Sequence, residues 1–126
     1  MTVKKQRPVN LELNTISFPA SAIASILHRI SGVIMFVAMG ILMWAFATSL
    51  SSAEGFEAVK ECLDTFIAKF VIWGTLTALA YHMLGGFRHL LMDCGLFEEL
   101  KSGNTSAKVT MALTVVLSVL VAVQLW

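Results

Sequence analysis

The chain has 126 residues, of which 57% are hydrophobic and 13% charged, with a formal net charge of +1. Soluble domains carry roughly 25% charged residues, so this composition belongs in a bilayer and excludes a large soluble catalytic domain. The near-neutral balance also argues against a nucleic-acid binder.

Residues 1–14 are polar, with Lys4, Lys5 and Arg7 ahead of Pro8 and Glu12 behind it. A signal peptide would place its apolar core directly after the basic residues. A polar stretch intervenes, so residues 1–19 read as a retained cytoplasmic arm and residues 20–126 as one membrane domain. Pro19 sits where its missing N–H harms a following helix least.

The first span is expected over residues 20–49, charge-free from Ile30 onward for longer than the ~20 residues a bilayer needs. Its entrance carries Ser25, His28, Arg29 and Ser31. Ala22, Ser25, Arg29, Gly32, Phe36 and Gly40 recur at helical spacing, a stripe of mostly small or polar residues expected to face protein rather than lipid. A charged connection follows, with an amphipathic surface turn over residues 54–63. The second span is expected over residues 66–92. Residues 95–106 read as a polar connection with Gly103 and Asn104 as turn signals. The third span, residues 107–126, is apolar apart from Ser118 and Gln124 and reads as a structural helix. The expected fold class is therefore an all-α membrane protein with three transmembrane helices.

Cys62 and Cys94 flank the second span, roughly 48 Å apart if it is helical. They cannot pair, and no zinc-type spacing exists; they read as inert thiols. Basic residues near span ends set orientation. Lys4, Lys5, Arg7, Arg88, Lys101 and Lys108 fall on one side, with Arg29 at its boundary, against Lys60 and Lys69 on the other. The N-terminus is therefore expected in the cytoplasm and the C-terminus outside. Trp44, Trp73 and Trp126 then lie in the outer halves of the spans.

The second span holds ionisable groups at membrane depth, where they usually mark a site. His82, Gly86, His89 and Asp93 share one helical stripe, and Gly85 beside it leaves the backbone bare for a flat ligand or a second helix. Antiparallel packing puts Ser25, His28 and Arg29 level with Arg88 and His89, with His82 about 10 Å deeper. One deep imidazole under shallow cations and imidazoles suits a haem, with His82 on iron and the shallow groups at the propionates. The other reading of His82 is a hydrogen bond to a neighbouring helix. A second axial imidazole would come from another polypeptide, because His28 and His89 are too shallow. Ser25 and Arg29, four apart on one face, can hold a quinone carbonyl and the charge that develops on it; they also fit a capping serine and a snorkelling arginine. Asp93 reads either as a proton relay from the cytoplasm or as an ion-pair partner of Arg88 or Arg29.

Arg7-Pro8-Val9, Ser25-Ile26-Leu27-His28-Arg29-Ile30-Ser31-Gly32, and His82 through Gly86-Phe87-Arg88-His89 to Asp93-Cys94-Gly95 occur in order. Together they resemble the cytochrome b556 membrane-anchor family of succinate dehydrogenase, the larger of the two anchors of respiratory complex II. The resemblance implies half of a haem-binding helical bundle, completed by a second anchor subunit that gives the other imidazole. It implies haem b with His82 as axial ligand, ubiquinone contacts from Ser25 and Arg29, and propionate contacts from His28, Arg29 and His89. FAD and iron–sulfur clusters would reside in the flavoprotein and iron–sulfur subunits, and the location would be a bacterial inner membrane. Ala20 and the Gly85-Gly86 pair depart from the family pattern without touching a ligand. Rival readings are a fumarate reductase anchor, an anchor that binds neither haem nor quinone, and an ion conductor. The last would need a polar file in the outer half, which is apolar.

Overall fold

The computed structural model describes residues 9–126; Lys4, Lys5, Arg7 and Pro8, on which the reading of the arm rests, lie outside them. Four helices follow a short 3-10 turn at Leu13–Thr15: α1 (Ala20–Ser51), α2 (Ala53–Leu63), α3 (Phe66–Asp93) and α4 (Leu100–Leu125). Among the described residues α1, α3 and α4 are long and apolar enough to cross a membrane. The architecture is all-α, as composition and pattern require.

Each boundary has a local cause. Pro19, in extended conformation, precedes α1, and its carbonyl accepts from Ala22 N–H at 3.0 Å. The free Ser21 N–H of the first turn is capped by Asn104 Oδ1 of α4 at 3.1 Å, which satisfies one of the orphan donors of a helix start. Ser52 breaks α1 and caps α2, its hydroxyl accepting from Gly55 N–H at 2.9 Å; α2 is thus a helix of its own where only a surface turn was expected. Thr65 caps α3. At the other end Gly95, with φ +82°, closes α3 as Leu96 N–H reaches back to Leu91 O at 3.0 Å, a Schellman-type stop.

The connection before the last helix is shorter than the sequence suggests. α4 begins at Leu100 rather than Ala107. Gly103 and Asn104, read as turn signals, are helical. Their polarity serves the interface: Gly103 is buried and Asn104 caps α1. The turn signal that acts is Gly95.

α3 packs against both α1 and α4, which also touch each other, while α2 folds back mainly on α1. The seams are lined by small residues: Ala24 and Ala38 of α1, Ala78 and Gly85 of α3, Gly103 and Ala107 of α4 are buried. Small residues let backbones approach, which is how helices associate where lipid removes the hydrophobic drive. Hydrogen bonds cross the seams as well. Tyr81 Oη donates to Ala24 O at 2.8 Å, Trp73 Nε1 donates to Ser118 O at 3.0 Å, and Thr77 and Ser118 hydroxyls pair at 2.9 Å. Ser118 thereby holds α4 to α3, whereas the hydroxyls of Thr110 and Thr114 bond back within their own helix.

Candidate functional site

α1 does not pack on α3 through the stripe that sequence spacing singled out. The buried or half-buried line is Ala24, His28, Ser31, Met35 and Ala38, while Arg29, Phe36 and Gly40 are exposed and Ser25 and Gly32 lie at the edge. A seven-residue repeat of small and polar side chains, Ala24–Ser31–Ala38, marks the true seam. The neighbouring stripe, with Arg29, faces out of the chain.

Three imidazoles meet where α1 crosses α3. His28 and His82 stack with ring centroids 4.1 Å apart and planes 10° from parallel, and His89 stands edge-on to His28 at 5.1 Å. His28 thus bridges the two histidines of α3, so the expected division into one deep imidazole and a separate shallow group does not hold. The bare backbone at Gly85 is covered by the His28 ring: a Cβ there would lie 2.8 Å from His28 Cδ2. Of the two occupants expected there, it is the second helix that approaches: α1, through His28. His28 Nε2 lies 3.2 Å from His82 O; a carbonyl only accepts, so Nε2 carries the proton and Nδ1 is bare.

The same logic sets the His82 tautomer. Ser31 Oγ is 2.7 Å from His28 O and 3.0 Å from His82 Nδ1. Its single proton goes to the carbonyl, which can only accept. Ser31 Oγ therefore accepts from His82 Nδ1–H, and the lone pair of the neutral ring sits on Nε2. His82 Nε2 makes no hydrogen bond among the described residues, where no buried side-chain nitrogen or oxygen lacks a partner; Nε2 therefore keeps some exposure. Gly32 gives the ring its room, since a Cβ at that position would stand 3.3 Å from His82 Cε1. Ser31 and Gly32 are functional neighbours that the sequence reading left without a role. Their signal was spacing: Ser31 lies one turn from His28 on the face that meets α3.

The remaining candidates divide between the seam and the surface. Ser25 is half-buried and Arg29 exposed, on one face of α1 and outside the imidazole cluster. Asp93 is exposed at the end of α3. The ion pair considered for it is not formed: among the described residues the salt bridge present is Lys60–Glu57 at 3.4 Å, on the surface of α2. Arg88 turns away to α4, giving Nε–H to Ser106 Oγ at 2.8 Å and Nη2–H to Gly103 O at 3.0 Å, so it does not join the shallow cluster. Cys62 and Cys94 are free and exposed. Among the described residues no three His, Cys, Asp or Glu side chains could hold a metal ion by themselves. What the site offers is one oriented imidazole nitrogen, facing outward.

Residues 3–121 match the model of the succinate dehydrogenase/fumarate reductase transmembrane subunit family. The chain is 36% identical over 122 residues to the succinate dehydrogenase cytochrome b556 subunit of Coxiella burnetii, covering 96% of this chain and 98% of that one. It is 30% identical over 114 residues to the subunit of the same name from Paracoccus denitrificans, covering 90% and 88%. The succinate dehydrogenase cytochrome b560 subunit of Marchantia polymorpha is 36% identical over 110 residues, covering 82% and 80%.

The packing of His28 on Gly85 generates a direct prediction. Gly85→Ala overpacks the seam and destabilises the chain by about 1–3 kcal/mol, whereas the same change in a His28→Ala background is tolerated. Unfolding in mixed micelles of the two single variants and the double variant measures this. Additive losses would show that the two residues do not meet.

Proposed function

This chain belongs to the succinate dehydrogenase/fumarate reductase transmembrane-subunit family, and we propose that it is the larger anchor of a succinate:ubiquinone oxidoreductase, with His82 as one axial ligand of a haem b and Ser25 and Arg29 at the ubiquinone site. The observation that carries this reading is the His82 ring, held at Nδ1 by Ser31 and open at Nε2. An imidazole serving only to tie helices together would not leave its lone pair facing out of the chain.

The residues present fit the group. A histidine ligand gives its other N–H to a fixed acceptor, and here that acceptor is Ser31. His28, whose ring lies parallel against His82, would not share the group with it. A second imidazole would come from a partner anchor, which would complete the bundle. Arg29 is exposed and His89 uses neither ring nitrogen in a hydrogen bond within the chain; both can meet the propionates. His28, with Nε2 committed to His82 O, adds a second N–H to that group only when protonated. The haem, when bound, supplies a one-electron store beside the quinone.

Ser25 and Arg29 face out together, the hydroxyl to donate to a quinone carbonyl and the guanidinium to hold the charge that develops there. The Ser25 hydroxyl is not back-bonded to its own helix, unlike those of Ser31, Thr48 and Ser49, so its donor is available. Asp93, exposed at the end of α3, takes protons from the aqueous side. FAD and iron–sulfur clusters belong to the flavoprotein and iron–sulfur partners. The relatives, all named for succinate dehydrogenase, favour the succinate direction over a fumarate reductase.

Orientation follows from the same end of the bundle. The start of α1 meets the start of α4 through Ser21 and Asn104, so Arg29, Lys101 and Lys108 gather at the end where α3 finishes with Arg88. The positive-inside rule puts that end in the cytoplasm of a bacterial inner membrane and the C-terminus in the periplasm.

In the assembled complex, His82→Ala removes or shifts the sharp b-type band of the reduced-minus-oxidised optical spectrum. Ser31→Ala retains the band but weakens haem retention about 10–100-fold. An unchanged band in His82→Ala, with the complex intact, contradicts the ligand assignment. For the quinone site, Ser25→Ala and Arg29→Leu lower ubiquinone-dependent kcat/KM roughly tenfold to a hundredfold, the effect of losing a hydrogen bond to a charged group. Succinate oxidation by a soluble dye that bypasses the membrane site stays unaltered; equal loss of both activities would place these residues in assembly instead.

A further inference from the structure

Arg88 carries a full charge inside the α3–α4 seam, only 6% exposed, and no acid among the described residues forms an ion pair with it. Its Nε and Nη2 contacts, to Ser106 Oγ and Gly103 O, use two of the five guanidinium N–H donors. Nη1 has no partner among the described residues, and since no buried side-chain nitrogen or oxygen there is unpartnered, Nη1 keeps some exposure. Arg88 lines a cavity of about 540 Å³ between the last turns of α3 and the first half of α4, a size within the range of small-ligand sites.

The cavity is graded in polarity. At one end Lys101, Ser102 and Thr105 of α4 stand with Arg88, and Glu99 is the single acid. Two cations against one carboxylate leave a net positive charge. Further along α4 the lining becomes Val109 and Leu113, which are about half exposed on the apolar outer face of the helix. A cationic, hydroxyl-lined head at the span boundary thus runs continuously into a strip that lies in hydrocarbon.

We propose that this cavity is a binding site for an anionic phospholipid, its phosphate paired with Arg88 and Lys101 and an acyl chain laid along Val109 and Leu113. Guanidinium and phosphate match in geometry as well as charge, and basic clefts between membrane helices recognise anionic headgroups in this way. A free anion would have to leave water for a cleft floored by hydrocarbon; a lipid is already there. The lipid supplies the counter-charge that the chain withholds from Arg88, and it clamps the start of α4 against α3.

The test uses the assembled complex in nanodiscs of phosphatidylcholine doped with phosphatidylglycerol bearing a photoreactive acyl chain. Cross-links are expected on α4 near Val109 and Leu113. Replacement by the same probe with a choline headgroup, or the variant Lys101→Gln, is expected to cut labelling about fivefold, the effect of one basic residue near an anionic headgroup. Lys101 is exposed and outside the Arg88 hydrogen bonds, so its variant keeps the seam; Arg88→Gln is then a second, stronger loss. Equal labelling by both headgroups would overturn the proposal, reducing the cavity to ordinary lipid contact. Competition by inorganic phosphate alone, without lipid labelling, would overturn it in favour of a soluble anion. No labelling at all in an intact complex would overturn it in favour of a cavity covered by a partner subunit.

Discussion

Everything at the site depends on one contact between α1 and α3: the His28 imidazole laid over the bare backbone of Gly85 and bonded to His82 O at 3.2 Å. It brings the two helices close enough for Ser31 to reach His82 Nδ1. In hydrocarbon an unpaired polar group is expensive, so these side chains cannot drift independently. His28, Ser31 and His82 bond to one another, and the ring nitrogens left over are Nε2 of His82 and Nδ1 of His28. A pre-oriented imidazole nitrogen is the by-product of making the seam self-sufficient.

The same economy separates what the chain completes from what it leaves open. Polar groups that face inward are matched within the chain: Tyr81 to Ala24 O, Trp73 and Thr77 to Ser118, Asn104 to the start of α1. Others, among them His82 Nε2, the Ser25 hydroxyl, the Arg29 guanidinium and the exposed Asp93 carboxylate, find no partner among the described residues and belong to the outward surface of α1 and α3. A fold that satisfies its interior so fully, yet leaves these together outside, is a surface awaiting other molecules. That is the physical content of calling the chain a membrane-anchor subunit.

Much of this was legible in the sequence, for reasons that differ by residue. The three long helices follow from apolar length, and His82, Ser25 and Arg29 stand out because polar residues are rare in such segments. The start of α4 was misjudged, because Gly103 and Asn104 carry turn chemistry in most settings and here serve a helix–helix seam. Two adjacent stripes run along α1, Ala22–Ser25–Arg29 and Ala24–His28–Ser31, and periodicity alone does not say which one meets α3 within the chain. Arg88 was grouped with Arg29 and His89 because depth is readable from residue number, whereas direction around the helix depends on what α4 offers. Ser31 was noted at the entrance of the first span but given no role, since a hydroxyl next to histidine and arginine looks like background until the opposing helix is in place.

The central claim is that His82 presents Nε2 to a haem iron shared with a partner chain. The most direct measurement is chemical rescue: the optical spectrum of the assembled His82→Gly complex, recorded without and with added imidazole. The account predicts loss of the low-spin b-type spectrum in the variant and its return as free imidazole fills the vacated axial position. A full-intensity low-spin spectrum in His82→Gly without imidazole would contradict it.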